Sequence, residues 1–565
     1  MITTNTRWQI APRITPEAER ELHGYPPILR QILFNRGYAT HESARRYLEA
    51  RPPDNTDPFN LSGVPEAAQR IESALKRGER IAIYGDYDVD GVTATALLTL
   101  HLAKMGANVT SYIPNRFDEG YGLNKDALTE LKENGVDVVI TVDCGIRSLE
   151  EALHARNLGL DLIITDHHHP GAELPEVVAV IDPKQPGDTY PDKDLAGVGL
   201  AYKLAAALDR QLENPRPLAE NYLDLVALGT VADLAPLNGE NRSLVRRGLE
   251  QMRTPQRQGL FSLMGVSGVT PQRVTATDIG FRLGPRLNAA GRLDDAKAAL
   301  RLLTTHDVFE AGQLAQQLEV QNRQRQQITR AIQEQAEQLA LAADPDAWLL
   351  FAVHPNFNAG VVGLAASRLT EKYYRPSVVG QIGETFTRAS CRSIAEFHIT
   401  DALDQCADIL EHHGGHAAAA GFTVRNEHLF ELTERLQAIA TEQLSSLDLR
   451  PTLHADMEVP LSEINPKLLE YLDWLQPTGY GNPQATFVSR NLKPTRYRTV
   501  GKENNHLKLT VSDGYITFDA IAFRMGEWAE KMPAYIDILY RFELNEFNGR
   551  KTLQLNIRDI KAAQR

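Results

Sequence analysis

The sequence predicts an α/β protein: a parallel-sheet domain, a long helix, a second α/β domain and a β-rich C-terminal domain. Three observations predict it. Strand-like and helix-like runs alternate from Arg80 to about Pro183, the rhythm of a parallel sheet with helices on its faces. No proline interrupts the chain between Pro285 and Pro345, where Leu314, Leu318, Ile328, Ile332 and Leu339 recur at helical spacing. Beyond about Pro451, alternating apolar residues are punctuated by turn signals, as in antiparallel strands.

Residues 1–75 read as an N-terminal helical segment, its short helices broken by GYPP and RPPDNTDPF. Residues 76–305 form the first α/β domain with a helical extension. Its strands are RIAIY, NVTSYIP, VDVVITVD, DLIITDH and VVAVIDP; its helices include VTATALLTLHLAK, NKDALTELKEN and SLEEALHARN, and AGVGLAYKLAAALDR opens the extension. Residues 306–344 form a connecting helix with solvated Gln- and Arg-rich faces, about 50 Å long at 1.5 Å per residue. Residues 345–448 hold the strand AWLLFAV, the helix GVVGLAASRLTEKY, the strands SVVGQI and TFTRASCRS, and the loop HHGGHAAAAGF. In residues 449–565, HLKLTV and ITFDAIAF flank SDGY, and RFELNEF and KTLQLNI flank NGR, an Asn-Gly hairpin signal. A small barrel of the oligonucleotide-binding (OB) type fits this pattern, and a β-sandwich reads the same way. Trp474 and Tyr480 read as packing residues.

The 565 residues are 42% apolar, ample for several buried cores. No apolar run reaches the roughly 18 residues of a membrane span, and MITTNTRWQIAPR lacks the apolar core of a signal peptide; a cytoplasmic protein is expected. The three cysteines, Cys144, Cys391 and Cys406, show no C-x-x-C spacing, which disfavours a disulfide framework or a thiolate zinc site. A net charge of −13 argues against coating duplex DNA through bulk charge. It does not exclude a nuclease, because carboxylates that hold cations count as negative here.

Ligands of open parallel sheets bind just beyond the C-terminal strand ends. Asp86, Asp88 and Asp90 lie just past RIAIY, Asp143 ends VDVVITVD, and Asp166, His167 and His168 end the DLIIT run; Asp233, in GTVADL, comes from a later segment. In an extended loop, Asp86, Asp88 and Asp90 would face one side and Tyr87 and Val89 the other. Carboxylates with one or two imidazoles suit Mn²⁺ or Mg²⁺ better than zinc. So many acids exceed the needs of one ion. Two divalent cations about 3.5–4 Å apart, sharing a water that can be deprotonated and attack phosphorus, are the economical arrangement. His169 reads as a surface histidine or one that supports the ligands from behind.

These stretches resemble the DHH phosphoesterase superfamily. GDYDVDG, VDCG, TDHH and GTVADL match its successive motifs; NRFDEGYG, GPRLNAAGR, SCRS and GGHAAAAGF are similar to sequences in and around the companion DHHA1 domain of the branch that degrades single-stranded DNA. The resemblance implies that Asp88 and Asp143 hold one ion and that Asp90, Asp143, His167 and Asp233 hold the other, with Asp143 bridging. It implies that Asp86 is a ligand directly or through water, that His168 contacts the scissile phosphate, and that Asp166 orients a histidine from behind. It further implies a 5′-phosphate site from Arg116, Ser390 and Arg392, base stacking by Tyr121, and close approach of phosphates to Gly414, Gly415 and His416. Arg286 and Arg292 line the path of the strand or fasten the helical region to the sheet; both readings stand.

The function expected is a metal-dependent 5′→3′ exonuclease that releases 5′-mononucleotides from single-stranded DNA in recombination and repair. A narrow passage between the two α/β domains would exclude a duplex. The interleaved basic and aromatic residues of RNLKPTRYRTVGK, with Arg490, Lys493, Arg496, Tyr497, Arg498 and Lys502, suit a single-strand-binding face, and a solvated strand face reads almost as well. Two other classes remain: a small-molecule or short-oligonucleotide phosphoesterase, which would not need the β-rich extension, and a replication scaffold that has lost catalysis, which the complete ligand set disfavours. A monomer is expected, acting after a helicase and beside single-strand-binding protein.

Overall fold

A computed structural model of the chain describes residues 6–116, 119–120, 122–211, 215–547 and 550–563. It divides into two compact units: Met1–Leu287 with Ala296–Ala315 and Thr452–Arg565, and Asn288–Asp295 with Gln316–Pro451. No helix among the described residues is long and apolar enough to cross a membrane.

The first unit opens with a strand, β1 (Arg7–Ile10), and three short helices, Pro16–Glu21, Pro27–Asn35 and His41–Leu48. Each helix start is written locally. Thr15 and Thr40 cap the first and third through their side-chain oxygens, and Pro27 supplies a preset φ at the first position of the second.

A parallel sheet follows, made of β2 (Arg80–Gly85), β3 (Asn108–Tyr112), β4 (Val138–Val142), β5 (Asp161–Thr165) and β6 (Ala179–Ile181) in the order β3-β2-β4-β5-β6. The central strands, RIAIYG, VVITV and DLIIT, are mainly apolar with both faces buried, as a sheet covered by helices on both sides requires. The helix Val89–Lys104 is buried along most of its length against β2, β3 and the helices Gly197–Gln211 and Leu223–Ala232. That explains why Asp90 is its only charged residue before Lys104.

In the second unit, β7 (Leu350–His354), β8 (Ser377–Ile382), β9 (Phe386–Arg392), β10 (Leu410–His416) and β11 (Ala419–Arg425) form a sheet in the order β10-β11-β9-β8-β7. Only the β7–β8 pair is parallel. The stretch HHGGHAAAAGF, expected as a loop, is instead a β-hairpin, with Gly414 opposite Gly421 and His416 opposite Ala419. Small residues on both strands allow this close pairing. A Cβ on Gly415, whose φ is +145°, would lie 2.4 Å from Ala419 O. The connecting helix expected over residues 306–344 is a single helix, Val308–Ala343, of 36 residues.

The chain then returns to the first unit with β12 (Thr452–Ala455) and β13 (Met457–Glu458). β14 (Phe487–Val500), β15 (His506–Ser512), β16 (Thr517–Ala522), β17 (Ile536–Phe547) and β18 (Arg550–Ala562) run in the order β14-β15-β16-β18-β17. Pairing of β14 with β17 closes them into a five-stranded barrel, which resolves the barrel-or-sandwich alternative. β17 and β18 pair antiparallel up to Phe547 opposite Arg550; the Asn548–Gly549 turn lies outside the described residues.

The barrel is not isolated. Its core residues Phe487, Leu507, Ile538 and Leu555 belong to one cluster with Leu22, Leu29, Ile32, Leu33 and Tyr47 of the N-terminal helices, and β1 pairs in parallel with β12. A buried arginine joins this core to the helical extension. Arg242, on the helix Gly239–Met252, is 2% exposed and donates to five backbone carbonyls: Tyr47, Leu475, Pro477, Gln476 and Trp474. Its guanidinium carbon sits 4.1 Å from the Tyr47 ring centroid. Only a planar group with donors in a fixed fork can serve so many acceptors. Trp474 and Tyr480, expected to pack, are exposed instead. Their segment is held through its backbone, by Arg242 and by Asn482, which donates to Leu475 O and Pro477 O.

Replacing Arg242 with alanine strands those carbonyls away from water, and the expected loss is about 3 kcal/mol. Arg242→Lys should lose part of that, since an ammonium has three donors. Urea denaturation followed by tryptophan fluorescence measures both; midpoints equal to the parent's would refute this role.

Candidate metal centre

The site is built by register. Gly85 lies opposite Val142, Val142 opposite Thr165, and Thr165 opposite Ile181. Four adjacent parallel strands therefore stop level with one another, and the next residue in each is an aspartate: Asp86, Asp143, Asp166 and Asp182. The four are nearly inaccessible to solvent. Asp143 holds a left-handed backbone, φ +63°, a costly conformation of the kind that collects at functional sites.

The DYDVD stretch is not the extended loop expected of it. The helix starts at Val89, with Asp88 as its N-cap accepting from the Asp90 and Gly91 amides at 2.8 and 3.1 Å. Helical geometry, not alternation, therefore aims Asp90. The acids separate accordingly. Asp86 and Asp88 share one group of potential ligands with Asp143, whereas Asp90 groups with His167 and Asp233. His167 Nε2 lies 3.0 Å from Asp143 Oδ1, 3.7 Å from Asp90 Oδ2 and 3.9 Å from Asp233 Oδ2, which joins the two groups. Asp233 reaches the site as the C-cap of the helix Leu223–Ala232.

Electrostatics divide these residues. Burial, then the charge of Asp88, pushes Asp86 up to about 8 and Asp90 up to about 7. Burial, then Asp90, raises Asp233 to about 9 and Asp143 well above the carboxylate range. Burial, helped by the charge of His168, lowers His167 to about 3 and keeps its ring neutral. Burial opposes a charge on His168 too, but its hydrogen bond to Asp166 (Nδ1 to Oδ1, 2.7 Å) outweighs that and raises it. Burial also acts to raise Asp166, yet His168 and the Ile146 amide hold it below its ordinary value. The two neighbouring histidines thus differ in kind: burial disfavours a charge on His167, whereas the hydrogen bond to Asp166 favours one on His168.

The residues fit a pair of divalent cations. Asp86 Oδ1 is buried without a hydrogen-bond partner, and the surrounding carboxylates resist ionising together. A set of carboxylate oxygens with one neutral imidazole is that of Mn²⁺ or Mg²⁺.

Several participants escaped the sequence reading. The Gly197 and Val198 amides, at the start of the helix Gly197–Gln211, donate to the two oxygens of Asp90 at 2.6 and 2.9 Å. A Cβ on Gly197 would lie 2.8 Å from Asp143 Cβ and 2.9 Å from Asp90 Oδ2, so no other residue fits. The glycine-rich helix start AGVG was the available signal. Lys184 Nζ donates to His167 O. Asp182, raised to about 7 chiefly by burial, accepts from the Lys184 amide through Oδ1, while its Oδ2 has no partner.

The residues expected at phosphates fall in both units. In the first, the Arg116 guanidinium carbon lies 4.8 Å from the Tyr87 ring centroid; Tyr121 lies outside the described residues. Arg286 Nη1 donates to Arg282 O at 2.7 Å. On the barrel, Lys493, Arg496, Tyr497, Arg498 and Lys502 are exposed, but Arg490 is tied to Glu458 and Asp537 at 2.7 and 3.0 Å. In the second unit, Ser390 and Arg392 sit two apart on β9 and face the start of the helix Val362–Tyr373. A Cβ on Gly363 would lie 3.1 Å from Arg392 Nη2 and 3.3 Å from Ser390 Oγ. A guanidinium, a hydroxyl and a helix N-terminus thus converge, an arrangement suited to an anion. The sheet register puts Gly414 in one row with Gly421 and Ser390, and His416 in one row with Ala419 and Arg392. Arg292 Nη1 donates to Gly360 O at 3.2 Å.

Comparison with known proteins agrees with this architecture. The family described as "DHH family, N-terminal domain" matches residues 80–230, the DHHA1 domain matches 346–442 and the RecJ OB domain matches 455–559. The single-stranded-DNA-specific exonuclease RecJ of Bacillus subtilis (strain 168) is 39% identical over 100% of this chain and 72% of its own length. Its counterpart from Escherichia coli (strain K12) is 35% identical over 95% and 96%. The crystal structure of RecJ in complex with Mn²⁺ from Thermus thermophilus superposes with a TM-score of 0.85 at 31% identity, covering 99% of this chain and 80% of that one. Since the likeness runs through all three domains in order and through the whole length given, the chain belongs to the RecJ family of single-stranded-DNA-specific exonucleases, within the DHH phosphoesterases.

Proposed function

We propose that this protein is a 5′→3′ exonuclease that hydrolyses single-stranded DNA to 5′-mononucleotides, with two divalent cations, Mn²⁺ or Mg²⁺, in the carboxylate–histidine centre. The observation that carries the reading is the pair of ligand groups, Asp86–Asp88–Asp143 and Asp90–His167–Asp233, linked through the contact of Asp143 with His167. The RecJ relatives support the substrate, being named for single-stranded DNA. Cations bound there would supply the charge that lowers the pKa of an attacking water and offsets charge building on the phosphoryl oxygens.

The chain's own residues do the rest. Asp143 faces both groups and ties them together. The Gly197 and Val198 amides fix the direction of Asp90 before substrate arrives, and Asp166 anchors His168 through Nδ1, which leaves Nε2 to donate to the scissile phosphate. Ser390 and Arg392 hold the terminal 5′-phosphate, with Arg116, Tyr121, Gly414, Gly415 and His416 along the strand and Arg286 beside its path; Arg292 serves to fasten its segment to Gly360. On this reading the protein works in recombination and repair as a cytoplasmic monomer, on strands opened by a helicase and beside single-strand-binding protein. A pyrophosphatase-like reading is disfavoured, because it gives the barrel no task.

An end-labelled single strand incubated with Mn²⁺, Mg²⁺ or chelator tests the whole. Mononucleotides should appear from the 5′ end with either ion and none with chelator; equal rates on blunt duplex would overturn the assignment. Asp143→Asn tolerates the left-handed backbone and should cut cleavage on the order of 10³-fold or more. Its melting temperature in chelator should stay level or rise, since one of the repelling acids is gone; a marked fall would contradict this electrostatic account. Arg392→Ala should raise KM for 5′-phosphorylated strands by about 10- to 100-fold and for 5′-hydroxyl strands by less, with Arg392→Lys recovering only part. Equal effects on both strands would move the terminal-phosphate site elsewhere.

A further inference from the structure

Beside the metal centre stands a leucine that packing does not explain. The helix Leu223–Ala232 ends on Asp233, and the two amides that follow turn back on it: Leu234 N donates to Val231 O at 3.3 Å and Ala235 N to Thr230 O at 3.2 Å. This is the Schellman closure, whose left-handed position is ordinarily glycine, sometimes asparagine. Here it is Leu234, with φ +62°. The side chain gains little burial in return, being 65% exposed, while Ala235 and Leu237 just beyond re-enter the core. Both backbone and solvent therefore disfavour leucine at this position. Its Cα is only about 3.8 Å from that of Asp233.

A second apolar side chain is displayed nearby. Phe281, 80% exposed, projects from the π-helical turn Ile279–Leu283, a distortion often found at functional sites. That turn packs on the helix Leu223–Ala232, and a Cβ on Gly284 would lie 3.3 Å from Ala232 Cβ, next to Asp233. Two exposed apolar side chains, Leu234 and Phe281, thus stand on segments that meet at the end of the helix leading to Asp233.

We infer that Leu234 is a specificity-determining wedge: its side chain enters between the base of the nucleotide being removed and the next, and holds them unstacked while the intervening phosphate lies at the metal centre. Apolar side chains are the usual means of parting neighbouring bases, and such contact is indifferent to sequence because every base has an apolar face. The wedge favours a strand whose bases are free to part, which a duplex resists. The inference rests on the exonuclease reading above and adds to it the means of separating bases.

The test uses the full-length protein with Leu234→Gly, which relieves the backbone, and Leu234→Ala, which does not. A 5′-phosphorylated strand carrying 2-aminopurine next to its 5′-terminal base is bound in chelator, where nothing is cleaved. The parent should raise its fluorescence as stacking is lost, and both variants should lose most of that rise. In Mn²⁺, kcat/KM on oligo(dA), which stacks strongly, should fall about tenfold further than on oligo(dT), which does not. Leu234→Gly should melt no lower than the parent. An unchanged 2-aminopurine signal, or equal falls on both homopolymers, overturns the wedge. If the parent cleaves neither homopolymer, the exonuclease reading fails instead, and the wedge is still judged on the fluorescence.

Discussion

Repulsion among buried carboxylates governs this molecule. Parallel strands cut to one length deliver aspartates to a single level, and the sheet that positions them also strips them of water. Such an edge persists only because the surroundings fix each acid separately. Asp88 is occupied by the first amides of its own helix, Asp90 by those of another, and Asp166 by Ile146 and two histidines. Asp86 keeps one oxygen without a partner, and Asp143 stands where the two ligand groups meet. The acids of the centre therefore resist ionising together, and binding positive ions would favour their ionised forms together.

Adjacent histidines show how finely one sheet edge can set opposite behaviour. His167 points into the cluster, where burial disfavours its charge; His168 turns back on Asp166, which favours one. Neither state follows from the residue type. One follows from how deeply the ring is buried and the other from its hydrogen bond to Asp166, and both depend on where β5 stops.

Much of this was legible beforehand, because the signals were local. Apolar runs bounded by acids give the strands and their ends, and a long proline-free stretch gives the long helix. What stayed hidden was non-local or rested on small residues. Barrel closure is a pairing of β14 with β17 that no single segment announces. The extended reading of DYDVD failed because an N-cap aspartate can begin a helix earlier than its apolar pattern suggests. HHGGHAAAAGF read as a loop because glycine and alanine carry no strand preference, yet they are what allows the two strands to approach. Gly197 and Gly363 matter for the side chains they lack, which a search for chemically active residues passes over. The N-terminal helices carry no mark of the barrel core they complete.

That last arrangement has a consequence for biosynthesis. β1 finds its partner in β12 only after more than four hundred intervening residues have been made, a delay on the order of tens of seconds at ribosomal speed. Throughout that interval Leu29, Ile32 and Leu33 lack the surface that shelters them in the finished protein. A segment made so long before its partner is thus among the last to settle, and chaperone demand during translation should concentrate on it.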